Sequence, residues 1–275
     1  MPRRNLSLVL TLSLIVAVTC GIQRSAQSNV TPQAKPFSIT LPKSVVKIDM
    51  VPVPAGSVEI QGKTVPVAAF SIATTELTWE AFDLFLSSGP PSEPYDQTEF
   101  TADAIARPSK TYNLPDRGWG HRGYPVISVT STSAEMFCRW LSKVTGKKFR
   151  LPTEAEWELA CRGGVSGPWK MDAATIAKQS WNAGNSKATT HPVGKKEANA
   201  FGIFDMLGNA GEWATDLNGE PVLCGPTFRD PAASVSPSVR KKWTAKWQES
   251  DPQMPKSRWW LSDGPFAGLR VVCEN

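Results

Sequence analysis

Apolar residues recur at helical spacing in three stretches of the chain. Trp79, Phe82, Phe85 and Leu86 form one stripe behind Thr78, a residue type that caps helix starts. Ala134, Phe137, Cys138 and Leu141 form a second stripe. There Thr132 and Glu135 have the spacing of a capping box, in which a hydroxyl accepts a first-turn amide and a glutamate reaches back, so a helix is predicted through Lys143. The third stripe begins at another such box, Thr153 and Glu156, with Trp157 and Cys161 on one face, Leu159 and Ala160 widening it, and Leu151 placed to staple against Trp157. Gly163 and Gly164 supply the positive φ that ends it.

Shorter apolar runs predict strands. Val51 to Ser57 reads as a strand and turn, Ala68 to Ala73 as a short strand, Tyr124 to Val129 as a buried strand, and Gly268 to Cys273 as the last strand. From Ser87 to Gly123 the chain is rich in Pro, Ser, Asp and Gly and predicts a long surface loop. No internal repeat is present. A hydrophobic content of 41% over 275 residues fits a globular protein with one large domain. With 23 prolines and 20 glycines regular elements are short, and 11 tryptophans against three tyrosines supply buried area in their place. The expectation is an irregular, loop-rich α+β domain over residues 45–275.

The chain opens with Arg3, Arg4 and an apolar run from Leu6 to Val18, the pattern of an export signal over residues 1–20 and too short for a transmembrane helix. Cleavage is placed between Cys20 and Gln27. Cys20, behind Ala17-Val18-Thr19, is a candidate lipid anchor. Residues 21–44 are polar with scattered prolines and read as a flexible tether. An exported location follows: periplasmic, extracellular or surface-anchored.

The net charge of +5 includes Arg3 and Arg4, so the mature chain is only mildly basic. Its densest cationic stretch, Arg240 to Trp243 with Lys246 and Trp247, reads as a solvated surface or an anionic glycan contact, and nucleic acid is not expected as a partner. Cys138, Cys161, Cys224 and Cys273 lie beyond the signal. An even number in an oxidising compartment predicts two disulfides, with three pairings open. No phosphate loop, Gly-x-Ser-x-Gly elbow or Cys-x-x-Cys motif occurs, and Asp216 and Asp263 read by default as turn caps, with lining a cleft the alternative.

Two segments carry a resemblance. RLPTEAEWELACRGG, Arg150 to Gly164, and NAFGIFDMLGNAGEW, Asn199 to Trp213, resemble the signature blocks of the formylglycine-generating-enzyme (sulfatase-modifying-factor) family, and the similarity runs from about Val51 to Val272. The resemblance implies a variant of the C-type lectin fold. It also implies a calcium ion held by the side chains of Asp205 and Glu212 and the carbonyls of Gly208 and Ala210, a donor set that suits a hard cation. A second calcium site would use Asn185, whose partner aspartate has no clear equivalent. By the same resemblance Cys138 pairs with Cys273, leaving Cys161 and Cys224 for each other.

Family members that oxidise a sulfatase cysteine to formylglycine bind copper(I) through two cysteines near in sequence, because copper(I) selects soft thiolates. That pair belongs between VLCGPTF, Val222 to Phe228, and AGLRVV, Ala267 to Val272. No cysteine occurs from Gly225 to Val272, so copper is not expected. A further branch uses non-haem iron held by histidines of a fused helical domain; only His121 and His191 are present here, and a surface role is expected for both. The sequence therefore predicts a divergent, exported member acting as a binding or accessory module for a peptide, glycan or protein, sulfatases among the candidates. The alternative is a formylglycine-generating oxidase with an atypical site.

Overall fold

The computed structural model describes residues 35–88, 114–252 and 254–274. The expected export signal, its cleavage region, Cys20, the first part of the tether and most of the 87–123 loop lie outside the described residues. The described residues belong to one compact unit beginning at Gln33. Within it, part of the expected tether is structured: Phe37–Thr40 forms β1, paired antiparallel with β2 (Lys47–Val53). Among the described residues no helix is long and apolar enough to cross a membrane.

The main sheet has five antiparallel strands in the order β1-β2-β5-β11-β6, with β5 at Phe70–Ala73, β6 at Phe149–Arg150 and β11 at Val272–Cys273. Its pleat sends successive side chains to opposite faces, and both faces are buried. Ala73 and Cys273 join a core with α1 (Trp79–Ser87) and α2 (Ser131–Thr145). Their neighbours Ile72 and Val272 join a second core with α3 (Glu154–Arg162) and the hairpin β3 (Gly56–Ile60) and β4 (Lys63–Val67). The hairpin turns at Gln61 and Gly62, both at positive φ, the conformation that two-residue turns demand. A smaller sheet has the order β10-β7-β8-β9, with β7 at Gly211–Thr215, β8 at Pro221–Cys224, β9 at Arg240–Lys241 and β10 at Ala267–Gly268.

The helix starts follow local chemistry with two changes. Thr153 and Glu156 form both bonds of the predicted capping box, and Gly163 closes α3 at φ 57°. Leu151 and Trp157 are both buried but belong to different cores, so no staple joins them. The cap of α2 is Thr130, whose hydroxyl accepts from the Ser133 amide, rather than Thr132. Thr78 sits at the N-cap of α1 without a side-chain capping bond.

Tyr124 to Val129 is buried at its centre but is not a strand: it makes single bridges at Pro125 and Val129, since Pro125 has no amide to donate and Ser128 adopts φ 62°. The predicted last strand is divided. Ala267–Gly268 pairs with β7, whereas Val272–Cys273 lies between β5 and β6. The chain thus changes sheets across Leu269, Arg270 and Val271, all fully buried.

Candidate functional site

Arg270 is a fully buried guanidinium at the point where the chain changes sheets. Its Nε and Nη2 donate to the Glu212 carboxylate at 2.7–3.1 Å, and Nη1 and Nη2 donate to the carbonyls of Ala73 and Phe204. Trp157 Nε1 donates to Glu212 Oε2 at 2.7 Å. β7 presents Glu212, α3 presents Trp157, and the crossover presents Arg270. Two further carboxylates are buried beside this pair. Glu76 accepts from the Ala210 amide and from Asn209 Nδ2, both at 2.7 Å. Asp205 accepts from the Gly194 amide through Oδ2, while its Oδ1 is buried without a partner. Burial pushes the Glu76 carboxyl well up, helped by the charges of Asp205 and Glu212, and burial pushes Asp205 up to about 6.

The turn joining them is tightly specified. Asp205 and Asn209 adopt left-handed φ of 61° and 59°. A Cβ on Gly208 would stand 2.2 Å from the Trp181 carbonyl oxygen, so only glycine lets the backbones approach. These residues fit a calcium ion with one change to the expected set. Asp205 Oδ1 is an orphaned buried hard donor, with Gly208 and Ala210 on the same turn. Glu212 is not a free ligand, because both its oxygens are taken by Arg270 and Trp157. Asn185 is likewise engaged, its Oδ1 and Nδ2 bonding the Asn182 amide and the Ser180 carbonyl. Among the described residues no three His, Cys, Asp or Glu side chains converge on one point.

The four cysteines are free and buried, which corrects the expected disulfides. The members of each predicted pair do share a core: Cys138 with Cys273 on one side of the sheet, Cys161 with Cys224 on the other. They act as small apolar groups, Cys161 also donating weakly to the Met206 carbonyl. Burial pushes the Cys224 thiol up to about 12 and raises Cys138, Cys161 and Cys273 as well.

The histidines have structural partners. His121 Nε2 and Nδ1 bond Asp83 and Asp116, and its ring stacks on Trp79. His191 stacks on Trp181 at 3.8 Å between ring centroids and bonds the Ser186 carbonyl through Nε2. Asp216 caps a turn through the amides of Asn218 and Glu220, as expected. Asp263 instead pins Ser250 through its amide and hydroxyl.

The segment after β8 builds a cationic and aromatic face. Phe228 is fully buried and meets the Trp119 ring edge-on at 5.2 Å. The exposed Arg229 guanidinium lies over the Phe228 and Phe266 rings at 5.3 and 5.4 Å. Trp247 packs edge-on against Phe266 at 4.9 Å, and Lys241 pairs with Asp230 at 2.5 Å. Arg117 reaches this face by donating to the Ser262 carbonyl. Farther along, residues 232–236 and the N-terminal part of α4 (Ala173–Gln179), with Trp169 and Met171, enclose a largely apolar cleft of about 880 Å³. Sequence patterns missed α4 because it buries no residue. They missed Arg270 too, although a lone arginine within the apolar run AGLRVV is the mark of a buried partner.

Comparison with known proteins agrees with this architecture. The model of the sulfatase-modifying factor enzyme 1-like domain matches residues 39–272. Formylglycine-generating enzyme of Mycobacterium tuberculosis is 37% identical over 106 residues, covering 34% of this chain and 33% of that protein. The inactive C-alpha-formylglycine-generating enzyme 2 of Bos taurus is 34% identical over 102 residues, covering 33% of this chain and 32% of that protein. The matches thus span about a third of the length of these curated relatives. PvdO from Pseudomonas aeruginosa has the same fold, with a TM-score of 0.63 at 24% identity over 88% of this chain and 100% of that one. With the domain matched from residue 39 to 272, the chain belongs to the formylglycine-generating-enzyme-like, sulfatase-modifying factor family.

Proposed function

We propose that this chain is an exported member of its family, with the lectin-like variant of the fold, that acts as a binding or accessory module rather than as a copper-dependent oxidase. One observation carries the reading: the segment from Gly225 to Val272 contains no cysteine, and Cys224 at its edge is fully buried with its thiol pushed up to about 12. Copper(I) chemistry of the family type requires a pair of accessible thiolates. An inactive relative among the similar proteins supports the same reading. The segment that would carry the cysteines instead offers the exposed Arg229 guanidinium over the Phe228 and Phe266 rings, a group suited to recognition. The test is copper(I) titration of the purified protein together with incubation with a Cys-Xaa-Pro-Xaa-Arg peptide. Neither binding nor conversion is expected, and stoichiometric copper with turnover overturns the reading.

A structural calcium ion is a second proposal, supported by the unpartnered Asp205 Oδ1. Asp205 and the carbonyls of Gly208 and Ala210 would hold it, with Glu212 remaining paired to Arg270. Bound there, calcium would supply positive charge to the buried Asp205 carboxylate.

A further inference from the structure

Arg229 makes no ion pair and no guanidinium hydrogen bond among the described residues; its contacts are the Phe228 and Phe266 rings. The neighbouring charges are already committed. Lys241 is neutralised by Asp230, which also accepts from the amide and hydroxyl of Thr227. Asp263 accepts from Ser250 and Ser262. Arg117 spends Nη2 on the Ser262 carbonyl and leaves Nε buried without an acceptor. Burial lowers the Arg117 pKa, the Asp263 charge opposes it, and the Arg229 charge adds a smaller lowering. The face therefore holds an Arg229 guanidinium without an acceptor among the described residues beside an Arg117 whose Nε has none.

We propose that Arg229, with Arg117 beside it, is a receptor for the carboxylate of an acidic peptide. This rests on the binding-module reading and names the ligand for it. A guanidinium presents parallel N–H donors that match a planar carboxylate in two-point contact. Seating over two rings fixes the Arg229 plane before the ligand arrives, so less freedom is lost on binding. The ring geometry favours a peptide over a sugar. Phe228 is fully buried, Arg229 covers the two phenyl rings, and Trp119 and Trp247 are half-buried. On this face the rings are occupied by the cation rather than stacked open, and the half-buried Trp119 and Trp247 provide apolar surface for a side chain next to the acidic one.

The test is calorimetric titration of the purified protein with a terminally blocked Gly-Glu-Phe-Glu-Gly peptide and with its Gln-for-Glu analogue. The acidic peptide is expected to bind at least about tenfold more tightly than the analogue, the worth of one charge-assisted contact. Arg229→Gln, an exposed position whose replacement leaves the core intact, is expected to remove that difference while the melting temperature stays unchanged. Equal binding of the two peptides, or an Arg229→Gln protein that still discriminates between them, overturns the carboxylate receptor. Tighter binding of a sulfated oligosaccharide than of the acidic peptide overturns the choice of a peptide. All these outcomes leave the binding-module reading standing. That reading fails separately, on copper(I) binding with turnover.

Discussion

Arg240 on β9 reaches across to α3 and binds Glu158 at 2.8 Å, holding Glu154 at 3.0 Å with the same guanidinium. Glu158 also takes Arg162 at 2.8 Å, so the second core is bordered by a charged network in which both glutamates are almost wholly buried. The segment from Gly225 to Phe266, which bears the recognition face, is thereby fastened to the helix that carries the family's signature.

Replacing Arg240 with Met leaves two buried carboxylates short of a partner. The expected loss is about 3 kcal/mol of unfolding free energy, as for other broken buried pairs, read as a lower urea midpoint with an unchanged slope. A loss below about 1 kcal/mol shows that the network contributes packing rather than charge pairing.

The thiols give a count as well as a rate. Cys138, Cys161, Cys224 and Cys273 are free and buried, so iodoacetamide at pH 8 is expected to leave the native protein unmodified, since only the thiolate reacts. Unfolded without reductant, the same protein is expected to take up label at all four. Mass spectrometry that finds any of these four cysteines unlabelled after unfolding establishes a disulfide that the structure does not contain.

Calcium is expected to raise the melting temperature of chelator-treated protein by several degrees, consistent with binding worth about 1–3 kcal/mol. Asp205→Asn is expected to abolish the rise. A parent protein whose melting is indifferent to millimolar calcium refutes the ion at Asp205.

His121 links residues 114–123 to α1 through Asp83 and Asp116. Burial lowers its pKa, but the hydrogen bonds and charges of the two aspartates outweigh that and raise it above the ordinary 6.5. A raised base stabilises fully below its unfolded value and loses that contribution as pH climbs through the folded value. Protection of the amides at 117–124, corrected for the intrinsic pH dependence of exchange, is expected to fall as the pH rises above the ordinary histidine value of 6.5 and through the raised folded value. His121→Gln is expected to flatten the change, and an unaltered profile in that variant removes His121 as its cause.

What the sequence made legible was local. The α3 start was readable because its capping box lies within four consecutive residues, and its stop because two glycines follow. The α2 cap was misplaced by two positions within Thr130-Ser131-Thr132-Ser133, where several hydroxyl residues are in a row and tertiary contacts select among them. The segment at Tyr124 has a strand's composition, yet Pro125 and Ser128 deny it a ladder. The recognition face was hidden because Arg117, Phe228, Arg229 and Phe266 meet only after folding. That Gly225 to Val272 holds no cysteine was legible in the sequence, and its bearing on copper came from the family resemblance. The Glu212–Arg270 pair was not, since 58 positions separate its members.

The division of the last strand between two sheets has a kinetic meaning. β11 is the piece that lies between β5 and β6, so the main sheet has a gap until Val272 and Cys273 arrive, and β7 lacks its parallel neighbour until Ala267 does. Elements formed early in synthesis must wait for residues far later in the chain, with their apolar faces uncovered in the meantime. The fold is completed by a keystone, and the interval before it is placed is when the nascent protein is most exposed to aggregation and to proteases.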